Sequence, residues 1–181
     1  MTPAAAVPLA ARRSLVVFAA VLALGVAVAA WIASLGGVGA FRFQFGAVGP
    51  FVSFPAHVLT TLTPVGEMVP FGAANGALYG LWGGALLNWG AWMVAAALQR
   101  AWGLSAAREI GALPAWLDRL PLTHPLVLVA GRWLPGGGVL VDAAAGAEGV
   151  ALARHLLLAG LGHAPQALAI AAVGAGLVHL F

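Results

Sequence analysis

Apolar residues run along this chain in long blocks, separated by short clusters of Gly, Pro and Arg rather than by polar loops. After Arg12 and Arg13 comes an uncharged run from Ser14 to Ala40, densest over Leu15–Leu35. Coiled as a helix, that part covers the ~30 Å hydrocarbon core of a bilayer. It is longer than the apolar core of a signal peptide, about 7–15 residues, so it reads as a retained first span rather than a cleaved leader. Two shorter apolar pieces follow, Phe51–Leu62 and Met68–Tyr79, with Pro64 and Gly66 breaking the chain between them. Neither piece can span. Short apolar halves about a Pro/Gly break point to a re-entrant hairpin, here over 51–79.

Leu78–Leu98 reads as a full span ending at Gln99 and Arg100. Gly72, Gly76, Gly80 and Gly84 recur every four residues, followed at the same spacing by Asn88. On one continuous helix they form a smooth stripe that lets another helix approach closely, and Asn75 and Asn88 are expected to bond across helices. The segment 102–124 holds Arg108, Glu109, Asp118 and Arg119 around Ala115-Trp116-Leu117. That mixture suits a helix-loop lying on the membrane surface. Pro125–Leu134 and Val139–Ala145 then flank Pro135-Gly136-Gly137-Gly138, a second broken pair and a second re-entrant hairpin over 125–146. A last span is expected over 155–177.

The pattern predicts an all-α polytopic membrane protein. Residues 1–13 form a cytoplasmic N-terminus and 14–181 a single membrane domain. Within that domain a re-entrant hairpin plus a transmembrane helix occurs twice as an inverted repeat, behind the additional N-terminal span. Arg12, Arg13, Arg100 and the arginines of 102–124 place the N-terminus and the surface segment on the cytoplasmic side, with Arg42 alone opposite.

Composition removes several alternatives. The chain is 62% hydrophobic and 7% charged, against roughly 25% charged residues in soluble domains. The net charge of +3 rests on arginines that are mostly single and scattered, a poor phosphate-tracking surface, so no nucleic-acid partner is expected. With no Cys there are no disulfides, thiolate nucleophiles or Cys-based metal sites. The chain has no G-x-S-x-G, H-E-x-x-H, paired acidic motif or phosphate loop, so neither an enzyme nor a metal or cofactor site is expected.

Charged groups at membrane depth are expensive, which makes them functional candidates. Glu67 sits in the break of the first hairpin, and as a lone carboxyl there it suits a proton carrier. Arg132 and Asp142 lie five residues before and five after Gly137, so a turn at Gly137 sets them opposite each other as an ion pair. Arg132 with the backbone of Gly136, Gly137 and Gly138 would make an anion site suited to a phosphate. His57 and His163, with Asn75 and Asn88, are secondary candidates; lone histidines in apolar segments are more often packed than functional.

Gly131-Arg132-Trp133-Leu134-Pro135-Gly136, closed by Ala145-Gly146, resembles the DedA family of VTT-domain membrane proteins. Pro64 to Glu67, the glycine-rich run through Gly80 to Gly90, Gln99-Arg100-Ala101-Trp102-Gly103 and Gly162 to Gly174 are similar too, so the resemblance covers roughly residues 50 to 176. Gly138 stands where the family has a second Arg, and Pro55 where it has an additional acid. The family's final span has no counterpart before Phe181. The resemblance implies two re-entrant hairpins facing each other in a bacterial inner membrane, and movement of an anionic lipid such as a polyprenyl phosphate or a phospholipid. Arg132 would hold the headgroup and Glu67 would couple to protons. A non-transporting membrane scaffold or assembly subunit is the alternative that the two departures favour. A proton-coupled small-solute carrier would use the same residues. The sequence sets no oligomeric state.

Single cysteines at Thr2, Ser105 and Phe181 test the expected topology in intact cells with an impermeant label. Only the Phe181 position should react; labelling at Ser105 but not at Phe181 would reverse the assignment.

Overall fold

A computed structural model of the chain describes residues 23, 34, 45–62, 68–110, 121, 123–134 and 136–177. Apart from residues 23 and 34 the expected first span lies outside them, as do Arg12, Arg13, Arg42, Glu67 and most of 111–122. Among the described residues all regular structure is helical: α1 (Gly49–Thr61), α2 (Met68–Ile110), α3 (Pro125–Ala130), α4 (Gly137–Ala147) and α5 (Leu152–Leu177), with single 3-10 turns at Gly46–Val48 and Gly131–Trp133. Two stretches, Phe71–Arg108 and Leu152–Gly176, are long and apolar enough to cross a membrane.

The first of these is not straight. Gly80 has φ 73° and ψ 178°, a backbone conformation essentially closed to any residue with a Cβ. The chain reverses there. Asn75 Nδ2 donates to Asn88 Oδ1 at 2.8 Å and Asn88 Nδ2 to the Gly72 carbonyl at 3.0 Å, contacts impossible along one helix because sixteen residues of helix cover roughly 24 Å. A Cβ on Gly84 would strike the backbone of Gly76. The glycine spacing read as one stripe is therefore folded about its own centre: Gly76 faces Gly84, and Gly72 faces Asn88. The arm 81–110 also runs past the expected end at Gln99 and Arg100, on to Ile110.

The second half runs through α3, the 3-10 turn, α4, a glycine of positive φ and the long α5. Leu134 is extended (φ −80°, ψ 143°), as the residue before Pro135 prefers, and ends the first arm. Gly136 (φ 68°) starts the return into α4. At the end of α4, Val150 N–H donates to the Ala145 carbonyl (2.9 Å) around Gly149 (φ 69°), a left-handed cap that redirects the chain into α5. Arg100 of α2 holds that corner by donating Nε to the Val150 carbonyl at 2.8 Å.

α2 packs against both α4 and α5 through small residues. Cβ atoms on Gly103 and Gly146 would collide with the backbones of Ala143 and Arg100, and on Gly76 and Gly174 with those of Ala171 and Ala73. The buried apolar residues are correspondingly small, many of them alanines: Ala91, Ala95, Ala96, Ala145, Ala159 and Ala171. Trp92 and Leu128 are buried among them, while other large apolar side chains point outward, with Trp82 71%, Leu86 70%, Leu140 71% and Leu157 65% exposed. The inside holds Asn88, Gln99, Arg132, Asp142 and two buried histidines of α5. Water would reverse that arrangement, and a hydrocarbon surround favours it.

Gly80→Ala should lower stability in detergent by about 1–3 kcal/mol, the cost of forcing a side chain into this backbone region. Gly176→Ala, whose methyl would meet nothing within 4 Å, should change it by about 0.5 kcal/mol or less. Thermal unfolding of the two variants compares them, and equal melting temperatures would rule out the reversal.

Candidate functional site

Arg132 ends the first arm of the second unit, in the 3-10 turn after α3, and Asp142 lies one and a half turns into α4. Gly137 can lie against the Gly131 carbonyl only because it has no Cβ, which closes the two arms on each other. Arg132 Nη1 then stands 2.5 Å from Asp142 Oδ1. Arg132 Nε donates to the Leu128 carbonyl at 2.7 Å, tying the guanidinium to its own arm. Both residues are 1% exposed.

Two histidines of α5 complete the cluster. His155 Nε2 lies 3.3 Å from Asp142 Oδ1 and 3.3 Å from the Ala96 carbonyl. Both neighbours are acceptors, so Nε2 carries the hydrogen. On the other side of the pair, His163 Nε2 lies 3.3 Å from Arg132 Nη1, which can only donate. His163 is thereby the Nδ1–H tautomer, and Nδ1 donates to Gln166 Oε1 at 3.3 Å. Gln166 Nε2 returns to the Arg132 carbonyl at 3.4 Å. Two buried nitrogens of this cluster have no hydrogen-bond partner: Arg132 Nη2, a donor, and His155 Nδ1, an acceptor in this tautomer.

A second cluster joins the arms of the first unit. Trp92 Nε1 donates to His57 Nε2 at 3.0 Å, and His57 Nδ1 lies 3.1 Å from Asn75 Nδ2. Asn75 continues to Asn88 and the Gly72 carbonyl as above. Gln99 Nε2 fastens the end of α1 by donating to the Thr61 carbonyl at 2.8 Å. Trp92 bridges the clusters, its ring 5.8 Å from that of His57 and 5.3 Å from that of His163 between centroids.

The structure thus brings Arg132, Asp142 and His163 together, and separately His57, Asn75 and Asn88. Glu67 lies outside the described residues. The glycines at the turn differ from the open anion cradle expected of them: the Gly137 N–H donates to the Leu134 carbonyl at 2.8 Å, and Arg132 is enclosed by its ion pair rather than presented at a surface.

Sequence reasoning passed over Trp92, Gln99, His155 and Gln166. The signal was there in angular position. At 100° per residue, His155, His163 and Gln166 fall within about 80° of one face of α5, and Asn88, Trp92 and Gln99 within about 40° of one face of α2. A polar stripe on an otherwise apolar helix is what a buried network needs.

Asp142→Asn leaves the guanidinium buried without its charge partner, and should cost about 3–5 kcal/mol. Adding Arg132→Gln should restore part of that loss in a thermal melt. Wild-type stability in Asp142→Asn would show that the pair contributes nothing.

Compared with known proteins, the chain matches no family model, no curated protein and no solved structure.

Proposed function

We propose that this chain is an integral membrane translocase for an anionic lipid, in which Arg132 binds the headgroup. The observation that carries the reading is a buried guanidinium with one donor nitrogen, Nη2, left without a partner inside a molecule many of whose large apolar side chains face outward. A buried donor normally finds an acceptor, and an arginine in low dielectric binds a phosphate oxygen strongly. The two units, each a hairpin followed by a long helix, are read as an inverted repeat with its binding region between the hairpins, the arrangement common to carriers whose sites lie near the bilayer midplane. The resemblance to DedA and VTT-domain proteins around Arg132 to Gly136 supports the same cargo.

Headgroup entry requires the arms around Gly137 to part, since the Arg132–Asp142 pair is closed. That closure is also what favours the second reading, a static membrane scaffold in which the pair serves only to hold the hairpin together. Transport separates the two. Protein in liposomes should move a labelled anionic phospholipid between leaflets faster than empty liposomes do, and Arg132→Ala should abolish the movement. Folded wild-type protein that moves no lipid at any pH would leave the scaffold. Movement by Arg132→Ala at the wild-type rate would remove the headgroup site while leaving transport.

A further inference from the structure

Arg132, Asp142 and His155 form a line of three buried groups with an unpartnered nitrogen at each end. At one end Arg132 Nη2 can only donate. At the other His155 Nδ1 offers a lone pair, because Nε2 donates its hydrogen to the Ala96 carbonyl. We propose that this triad is a co-binding site, taking one anionic oxygen on Arg132 Nη2 and one proton on His155 Nδ1 together. The proposal rests on the reading of Arg132 as the anion-binding group, and adds the residue that couples it to protons.

Charge decides why the two arrive together. With neutral histidines the triad is balanced, one guanidinium against one carboxylate. An anion alone would leave a net negative charge at a site where Arg132 and Asp142 are 1% exposed and His155 is fully buried. A proton alone would leave a net positive one. Either excess is costly where water is excluded, and adding both restores neutrality. The proton comes from water and joins the Nδ1 lone pair; no bond within the triad breaks, and Nε2–H stays on the Ala96 carbonyl, 3.3 Å from Asp142 Oδ1. An imidazolium then draws Asp142 towards α5 and competes with Arg132 for it, which loosens Arg132 for the incoming oxygen.

The surrounding groups leave this assignment to His155. On α4 the facing charge is Asp142, and on the turn after α3 it is Arg132. On α2 the nearest partner is the uncharged Ala96 carbonyl, with Arg100 a turn further along, committed to the Val150 carbonyl. Along α5, Arg154 is exposed and donates to the Thr123 carbonyl, while both nitrogens of His163 are engaged with Arg132 and Gln166. By linkage, an anion that raises the proton affinity of His155 must itself bind more tightly as the proton concentration rises, by the same factor.

The test uses the full chain in detergent and two phosphodiesters that stay monoanionic, dihexanoyl phosphatidylglycerol and dimethyl phosphate. Calorimetry in two buffers of different ionisation enthalpy counts protons taken up per ligand bound. Between about pH 7 and 8, wild type should take up close to one proton per diester. Its affinity should fall about tenfold per pH unit. Uptake with the lipid alone assigns a lipid headgroup, and uptake with both ligands assigns phosphodiesters in general. His155→Gln keeps an N–H for the Ala96 carbonyl but cannot become charged, so it should bind without proton uptake and with a flat pH profile. Binding by wild type without proton uptake overturns the coupling and leaves the anion site standing, whatever the variant does. Uptake that persists in His155→Gln also overturns the assignment. No binding of either diester by wild type overturns the anion site and the coupling with it.

Discussion

A guanidinium and a carboxylate removed from water must each find a charge partner, and Arg132 and Asp142 have one another at 2.5 Å. The requirement shapes the surrounding chain. To meet, the two side chains need the arms on either side of Gly137 to fold back closely, which puts a glycine against the Gly131 carbonyl. Most of the remaining polar atoms then find acceptors and donors of their own, from Leu128, from His163 and Gln166, and from His155 against Ala96, while Arg132 Nη2 and His155 Nδ1 find none. A single buried pair thus ties together α2, the broken arm before α4, α4 itself and α5. An apolar pair of similar volume would pack as well or better.

Packing in the rest of the molecule is of the kind a lipid surround favours. Lipid offers no hydrophobic reward for burying large side chains, so helices associate through close backbone contact and hydrogen bonds. Glycine against alanine at Gly103–Ala143, Gly76–Ala171 and Gly174–Ala73 supplies the first. The Asn75–Asn88–Gly72 chain and the Trp92–His57 bond supply the second. Trp92 links both polar clusters by ring contacts.

Much of the second unit was legible in the sequence because its signals are local. Leu134-Pro135-Gly136 dictates an extended residue followed by a left-handed one, and a turn there sets Arg132 opposite Asp142 by counting alone. The first unit was harder to read. Spacing of four from Gly72 to Asn88 fits one straight helix and equally a helix folded at Gly80, since a stripe symmetric about its midpoint meets itself on folding. His155 was overlooked because an isolated histidine near the start of an apolar helix carries no partner in sequence; Asp142 and Ala96 reach it only across three helices.

What the sequence by itself determined is the helical, apolar character of the chain, its breaks at Pro and Gly, and the short list of charges that no lipid-facing position tolerates. These depend on residue type and on neighbours within a turn or two, where backbone sterics and solvation act. The tertiary structure decided which polar groups share a site, where Gly80 reverses the chain, and which two nitrogens stay unpartnered. Those outcomes depend on distances between segments far apart in sequence. They are set by whichever helices can come close enough for their backbones to touch, and no single segment encodes that.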